Sequence, residues 1–263
     1  DLIKQFGFDH IALNPGASYR GLHDSLVNYG ENSPPMMLCT HEKIAVQMAH
    51  GYARHSGKPM IAIVHNLVGL LHAPMGIYYA YLDRAPVFII GATGPVDETK
   101  RRPFIDWIHS ANVQGQVIRD YVKWDAQPVS VDYVPDSFAR AYSVMMTGRQ
   151  GPIYMCYDAG LQEAELEHDI SMPPENSQRV PAQAAPDPIA LKKAADILIN
   201  SDRPAIVADF AARPPYGWDH VIDLAETLGA SVWDVNSRLN FPSTHPLNLS
   251  MDQNACYEDV DAV

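Results

Sequence analysis

Basic residues are scarce in this sequence. Lysine and arginine number 19 against 31 aspartates and glutamates, a net charge of -12 over 263 residues. Gripping nucleic acid or an anionic membrane needs basic patches, so this balance argues against both as partners. Cysteine is sparse too: Cys39, Cys156 and Cys256 lie far apart and form no C-x-x-C pair. A disulfide framework is not expected, and a reduced, cytoplasmic compartment fits best. No apolar run reaches the roughly 18 residues of a membrane span, and no signal-peptide pattern opens the chain. Neither G-x-G-x-x-G nor G-x-x-x-x-G-K-[ST] occurs, since Leu22 follows Gly21 in the nearest approach, "NPGASYRG". That lowers the odds of a dinucleotide-dependent dehydrogenase or a P-loop ATPase. None of the eleven histidines forms H-E-x-x-H, and no Cys/His spacing suits zinc, so no metal ligand is expected in the chain.

What is present is a core. Apolar residues make up 47% and charged residues 19%, a globular composition. β-rich apolar runs alternate with helical patterns: strands at 8–13, 36–40, 60–65, 86–92 and 151–157, helices through His23 to about Tyr29, from the Thr40 region to Ser56, from Gly69 to Leu82 and over 134–147. "MIAIVH" at 60–65 is continuously apolar, as in a parallel strand buried on both faces. The alternation predicts an α/β fold, a parallel sheet flanked by helices. Residues 168–187 are proline-rich without apolar periodicity and read as a linker between a first domain, 1–167, and a second, 188–263. In the second, helix 188–200, strand 203–210, helix 217–229 and strand 231–236 form a Rossmann-like unit that reads as incomplete. The chain opens on Asp1 and stops at "CYEDVDAV", where a further strand would begin, so a fragment is expected.

The helix "THEKIAVQMAHGYARHSGKP" (40–59) carries Ile44, Met48 and Tyr52 at i, i+4, i+8, with Ala45, Ala49 and Ala53 beside them. Thr40 is a candidate N-cap, which puts Glu42 in the first turn. A carboxylate there is favoured by the helix dipole, but Lys43 occupies the capping-box position. The alternative is a catalytic acid whose pKa an apolar setting would raise. His65 ends its strand at the sheet edge where α/β crevices form; it is either structural or the partner of Glu42. "NPG" at 14–16 is a strand-end turn in which Gly16 allows close backbone approach. "FIDWIHSANVQGQ" (104–116) offers Trp107, His109, Gln114 and Gln116 as a substrate-facing loop or a polar helix edge.

These pieces resemble a family. "NPG", "HEKIAVQMAHGYARHSGKP", "HNLVGLLHAPMGIYYAYLDRAPVFIIGA", "VKWDAQPVSVDYVPDSFARA" and "GPIYMCY" are similar to the N-terminal pyrimidine-binding domain of thiamine diphosphate enzymes, including acetolactate synthase, pyruvate oxidase and benzoylformate decarboxylase. "SRLNFPSTHPL" looks like the start of their central domain. The resemblance implies that Glu42 hydrogen-bonds the cofactor's aminopyrimidine ring nitrogen. It places Asn14, Pro15, Gly16, Gly69 and His72 around the cofactor and Ala17 and Ser18 toward substrate, where the loop reading also puts His109 and Gln114. The step from Glu42 to His65 matches benzoylformate decarboxylase, whose corresponding histidine is catalytic. Where that enzyme has a substrate-binding serine after "NPG", this chain has Ala17, which makes an aryl substrate doubtful. The implied cofactors are thiamine diphosphate and Mg²⁺, the diphosphate and metal ligands being expected in a C-terminal domain absent from this chain. The implied assembly is a homodimer or homotetramer, and the implied reaction is decarboxylation or carboligation of a 2-oxo acid.

Two other readings compete. An acetolactate synthase proper would add FAD and a small regulatory subunit; its Gly-Pro-Gly is reduced here to Gly69 of "LVG". A non-catalytic binding or regulatory module would keep the fold without the chemistry.

Overall fold

The computed structural model describes residues 1–178, 180–182, 184–213 and 217–263. It divides into two compact units, Asp1–Pro181 and Ala182–Val263.

The first unit is a six-stranded parallel sheet. Its strands are β1 (Ile11–Leu13), β2 (Met36–Leu38), β3 (Met60–Ile63), β4 (Val87–Thr93), β5 (Asp125–Ala126) and β6 (Ile153–Asp158). Their spatial order is β2-β1-β3-β4-β6-β5. β1 pairs with β2 through Ile11 and Met36 and with β3 through Ile11 and Ile61. The chain therefore leaves β1 toward one side and later returns on the other, so the C-terminal ends of β1 and β3 form a switch point. Two divergent loops leave a crevice there.

Helices cover the sheet. They are α1 (Leu2–Gln5), α2 (Arg20–Asp24), α3 (Glu42–Ser56), α4 (Leu67–His72), α5 (Pro74–Leu82), α6 (Ile105–Ile108), α7 (Val134–Met146) and α8 (Ala159–Glu163). On one face Ala45, Val46, Ala49 and Ala53 of α3 lie over Ala62, Val64 and Ile89. On the other, Ile61, Ile63 and Phe88 meet Phe6, Phe138 and Met145. The Phe88 and Phe138 rings stack at 4.5 Å. Burying each such ring contributes about 2–3 kcal/mol.

Four details differ from the sequence reading. The N-cap of α3 is His41, whose Nδ1 accepts from the Lys43 N–H at 3.1 Å, and not Thr40. Of the two stripes on α3 it is the alanines that are buried. Ile44 and Met48 are exposed, because small residues let the helix sit close to β1 and β3. The helix expected from Gly69 to Leu82 starts earlier and is broken at Ala73, where Pro74 opens α5 without an N–H to continue the ladder. β5 is too short for periodicity to reveal.

Residues 168–181 of the proline-rich stretch lie within the first unit, where Gln5 Nε2 donates to the Pro173 carbonyl at 2.7 Å. The second unit holds α9 (Pro188–Ile199), β7 (Ala205–Ala208), α10 (Gly217–Leu228), β8 (Ser231–Asp234) and α11 (Gln253–Tyr257). β7 and β8 pair in parallel over Val221, Ala225 and Phe241. Buried Asn240 ties their ends together, accepting from the Ala211 N–H and donating to Asp234 Oδ1. Ala262 bridges to Pro204 beside β7. Among the described residues, no helix is long and apolar enough to cross a membrane.

Candidate functional site

Three strand ends build the crevice. The turn Asn14–Ser18 follows β1, Glu42 follows β2 as the first residue of α3, and His65–Gly69 follows β3. Glu42 is only 4% exposed although charged. Asn14 and His72 hydrogen-bond its carboxylate, His72 Nδ1 lying 3.3 Å from Oε2. Its own backbone N–H adds another bond at the helix start. Burial acts to raise the carboxyl pKa, but these hydrogen bonds together outweigh it, and the net displacement is downward. The upward shift expected from burial alone is thus corrected: Glu42 is ionised and held in place.

His65 lies across from it. A Cβ on Gly69 would meet Glu42 Oε1 at 2.6 Å and His65 Cβ at 2.8 Å. A Cβ on Gly16 would meet His65 Nδ1 at 2.3 Å. Two glycines thus leave the space in which the imidazole and the carboxylate stand. Ser18 Oγ lies 2.9 Å from His65 Nδ1 and accepts from the Asn66 N–H at 3.1 Å. Burial lowers the His65 pKa first, and the nearby His109 adds to that; Glu42 opposes it and Arg102 reinforces it. Neutral imidazole is favoured.

The remaining candidates sort by position. Pro15 and Ala17 are exposed on the rim. Ser18 is buried and committed to His65 and Asn66, so its hydroxyl is not a free substrate ligand. His109 joins the crevice, its ring 5.9 Å from that of His65. Gln114 does not: it is 0% exposed, with Nε2 donating to the Ala92 carbonyl at 3.1 Å. It braces the interior, and the substrate-facing assignment is corrected. Trp107 is exposed and lies under the Arg101 guanidinium at 4.9 Å. His50 pairs with Asp83 at 2.9 Å, a packing role.

Sequence reasoning passed over Asn66, which stands at the N-cap of α4 and whose buried Oδ1 has no partner among the described residues. It also passed over Asp106, buried and bound by Arg102 through Nε at 3.1 Å and a terminal nitrogen at 2.8 Å. That pair shapes the turn that brings His109 to His65; its i, i+4 charge spacing was the available signal. The fold also gathers donor atoms of His41, Glu42 and His72 within 4.8 Å of one another, a grouping no sequence motif announces. A cavity of roughly 350 Å³ on the opposite face, lined by Leu22, Leu26, Phe138 and Leu161, holds none of the site residues.

Residues 1–116 match the family described as "Thiamine pyrophosphate enzyme, N-terminal TPP binding domain". The chain is 28% identical over 254 residues to the "Probable 2-ketoarginine decarboxylase AruI" of Pseudomonas aeruginosa, covering 94% of this chain and 43% of that protein. It is 27% identical over 252 residues to the acetolactate synthase large subunit of Buchnera aphidicola, covering 95% and 43%. The benzoylformate decarboxylase structure from Polynucleobacter necessarius shares the fold, with a TM-score of 0.75, 24% identity and coverage of 94% of this chain and 44% of that one. The chain thus spans less than half the length of these relatives. Over residues 1–116 the likeness is to the N-terminal domain of the thiamine pyrophosphate enzymes.

Proposed function

We propose that this chain supplies the cofactor-activating part of a thiamine diphosphate-dependent enzyme that decarboxylates a 2-oxo acid. Its first unit would be the pyrimidine-binding domain and its second the beginning of the central domain. One observation carries the reading: a single glycine, Gly69, separates a buried glutamate from a histidine on the same crevice. The residues fit the cofactor, because Glu42 offers a desolvated carboxylate and the two glycines leave a floor that any Cβ would fill.

Bound thiamine diphosphate supplies a carbon nucleophile and an electron sink for loss of CO₂. The Glu42 carboxylate, oriented by Asn14 and His72, would accept a hydrogen bond from the pyrimidine ring nitrogen and stabilise its protonated form. His65, neutral at rest, takes or gives a proton at the reacting substrate. Gly16 and Gly69 keep it at the crevice. None of the described crevice residues is assigned to Mg²⁺ or the diphosphate, and the crevice would be closed by a neighbouring subunit, so the proposed working assembly is at least a dimer. FAD has no support among these residues. Likeness to acetolactate synthase favours a second outcome, ligation of the decarboxylated fragment to another carbonyl compound.

In cofactor-loaded enzyme, Glu42→Gln abolishes hydrogen–deuterium exchange at cofactor C2, and His65→Ala slows decarboxylation while cofactor binding persists. Unchanged exchange in the first variant sinks the reading. A panel of 2-oxo acids with separate assays for CO₂, aldehyde and ligated product distinguishes release from ligation.

A further inference from the structure

The inference rests on the role just given to His65 and concerns which of its ring nitrogens can act. We propose that Ser18 is a positioning residue that holds His65 as the neutral Nε2–H tautomer, leaving Nε2 as the atom that serves the crevice.

Among the described residues Ser18 Oγ has two hydrogen-bond neighbours. The backbone N–H of Asn66 donates to it at 3.1 Å, so that interaction uses a lone pair. His65 Nδ1 is the other, at 2.9 Å. Ser18 is almost fully buried, so its O–H finds no water. Among the described residues the one acceptor bonded to Ser18 Oγ is Nδ1. If Nδ1 carried the hydrogen instead, the serine oxygen would accept twice and its own O–H would be buried without a partner. The neutral ring with Nδ1 bare and Nε2 protonated satisfies the Ser18 hydroxyl, Nδ1 and the Asn66 N–H together. Among the described residues Nε2–H has no hydrogen-bond partner, so it is free to donate a hydrogen bond to a group bound in the crevice.

The arrangement is built into the fold. Ser18 lies in the short 3-10 turn after β1, Asn66 at the N-terminus of α4 after β3. The hydroxyl joins the two loops of the switch point. Gln162 Nε2 donates to the Ser18 carbonyl at 3.1 Å and fixes its backbone from α8. Gly16 permits the approach, since any side chain there would occupy the place of Nδ1. The charged and titratable groups facing the ring are His109 from the loop after α6, Glu42 from α3 and Arg102 ahead of α6; they act through charge and, among the described residues, make no hydrogen bond to the ring. A protonated His65 would donate from Nδ1 to Ser18 Oγ and strand the hydroxyl proton. Ser18 therefore also opposes protonation, in the same direction as the burial of the ring.

The test is nitrogen-resolved NMR of the His65 ring in the chain itself, without cofactor, its signals assigned by loss in His65→Gln. The expected wild-type spectrum has Nε2 protonated and Nδ1 bare at neutral pH. Ser18→Ala yields a tautomer mixture and an upward displacement of the titration midpoint, whereas Ser18→Thr, which keeps the hydroxyl, retains the wild-type tautomer. In loaded enzyme, Ser18→Ala lowers kcat about tenfold with KM little changed, the effect of one lost hydrogen bond, and moves the acid limb of the profile to higher pH. A protonated Nδ1 in the wild type overturns the proposal, as does a Ser18→Ala ring unchanged in both tautomer and midpoint. Full turnover in His65→Ala would instead remove the catalytic role while leaving the tautomer assignment standing.

Discussion

Replacing Gly69 by alanine isolates the contact on which the site depends. Two opposite effects are expected. Alanine favours a helix over glycine by about 1 kcal/mol, and Gly51, exposed in α3 with nothing within 4 Å of its added Cβ, measures that gain alone. At Gly69 the added carbon would stand 2.6 Å from Glu42 Oε1, and ordinary contact begins at 3.4 Å. The carboxylate must retreat by the difference, about 0.8 Å, or the turn at His65 must move. If the backbone resists, overpacking costs about 1–3 kcal/mol, and Gly69→Ala falls below Gly51→Ala by that amount. If Glu42 yields, stability is nearly preserved, but the carboxylate parts from Asn14 and His72 and its pKa moves upward. Either way a displacement approaching 1 Å costs on the order of 100-fold in activity. Urea unfolding of both variants, a carbon NMR titration of the Glu42 carboxyl and C2 exchange of bound cofactor read the three quantities. A Gly69→Ala protein as stabilised as Gly51→Ala, with the Glu42 titration unaltered, would refute the reasoning.

Other outcomes follow from the same structure. Phe138→Ala removes a ring stacked on Phe88 and costs about 3–5 kcal/mol in urea unfolding, while the His65 ring spectrum stays that of the wild type. Asp106→Ala leaves Arg102 without its buried partner, costs about 1–3 kcal/mol, and loosens the turn that holds His109, seen as weakened NMR contacts between the His65 and His109 rings. The folded His65 and Glu42 both bind protons less readily than they would unfolded. Stability therefore stands above their ordinary values and is lost on acidification, first below about pH 6.5 and again below about 4.3. His65→Gln removes the first loss and keeps the second; unfolding curves against pH that fall equally in both proteins would contradict the assignment.

The chain's own order of residues determined the fold class and the approximate place of the chemistry. Strong local signals sufficed: the apolar run 60–65 read as a parallel strand buried on both faces, the alternation with helices required crossovers, and an "NPG" turn and a histidine at strand ends pointed to one sheet edge. Local signals did not rank the two stripes of α3: Ile44 and Met48 carry the larger apolar side chains, while alanines decide how near a helix can lie to a sheet. They could not see β5, whose two residues take their conformation from pairing with Tyr154 and Met155. Nor could they rank the candidates within the site. Ser18 and Gln114 are both polar residues near the right turns, yet one is fastened to His65 and the other to a β4 carbonyl. Burial predicted a raised pKa for Glu42; the positions of Asn14 and His72, 28 and 30 residues away in sequence, together with the backbone bond at the helix start, reverse its sign. Composition and periodicity report what a residue prefers on average over its near neighbours. Which nitrogen faces which hydroxyl, and which glycine gives room to which carboxylate, is decided where three separate strand ends meet, and that meeting exists only in the folded chain.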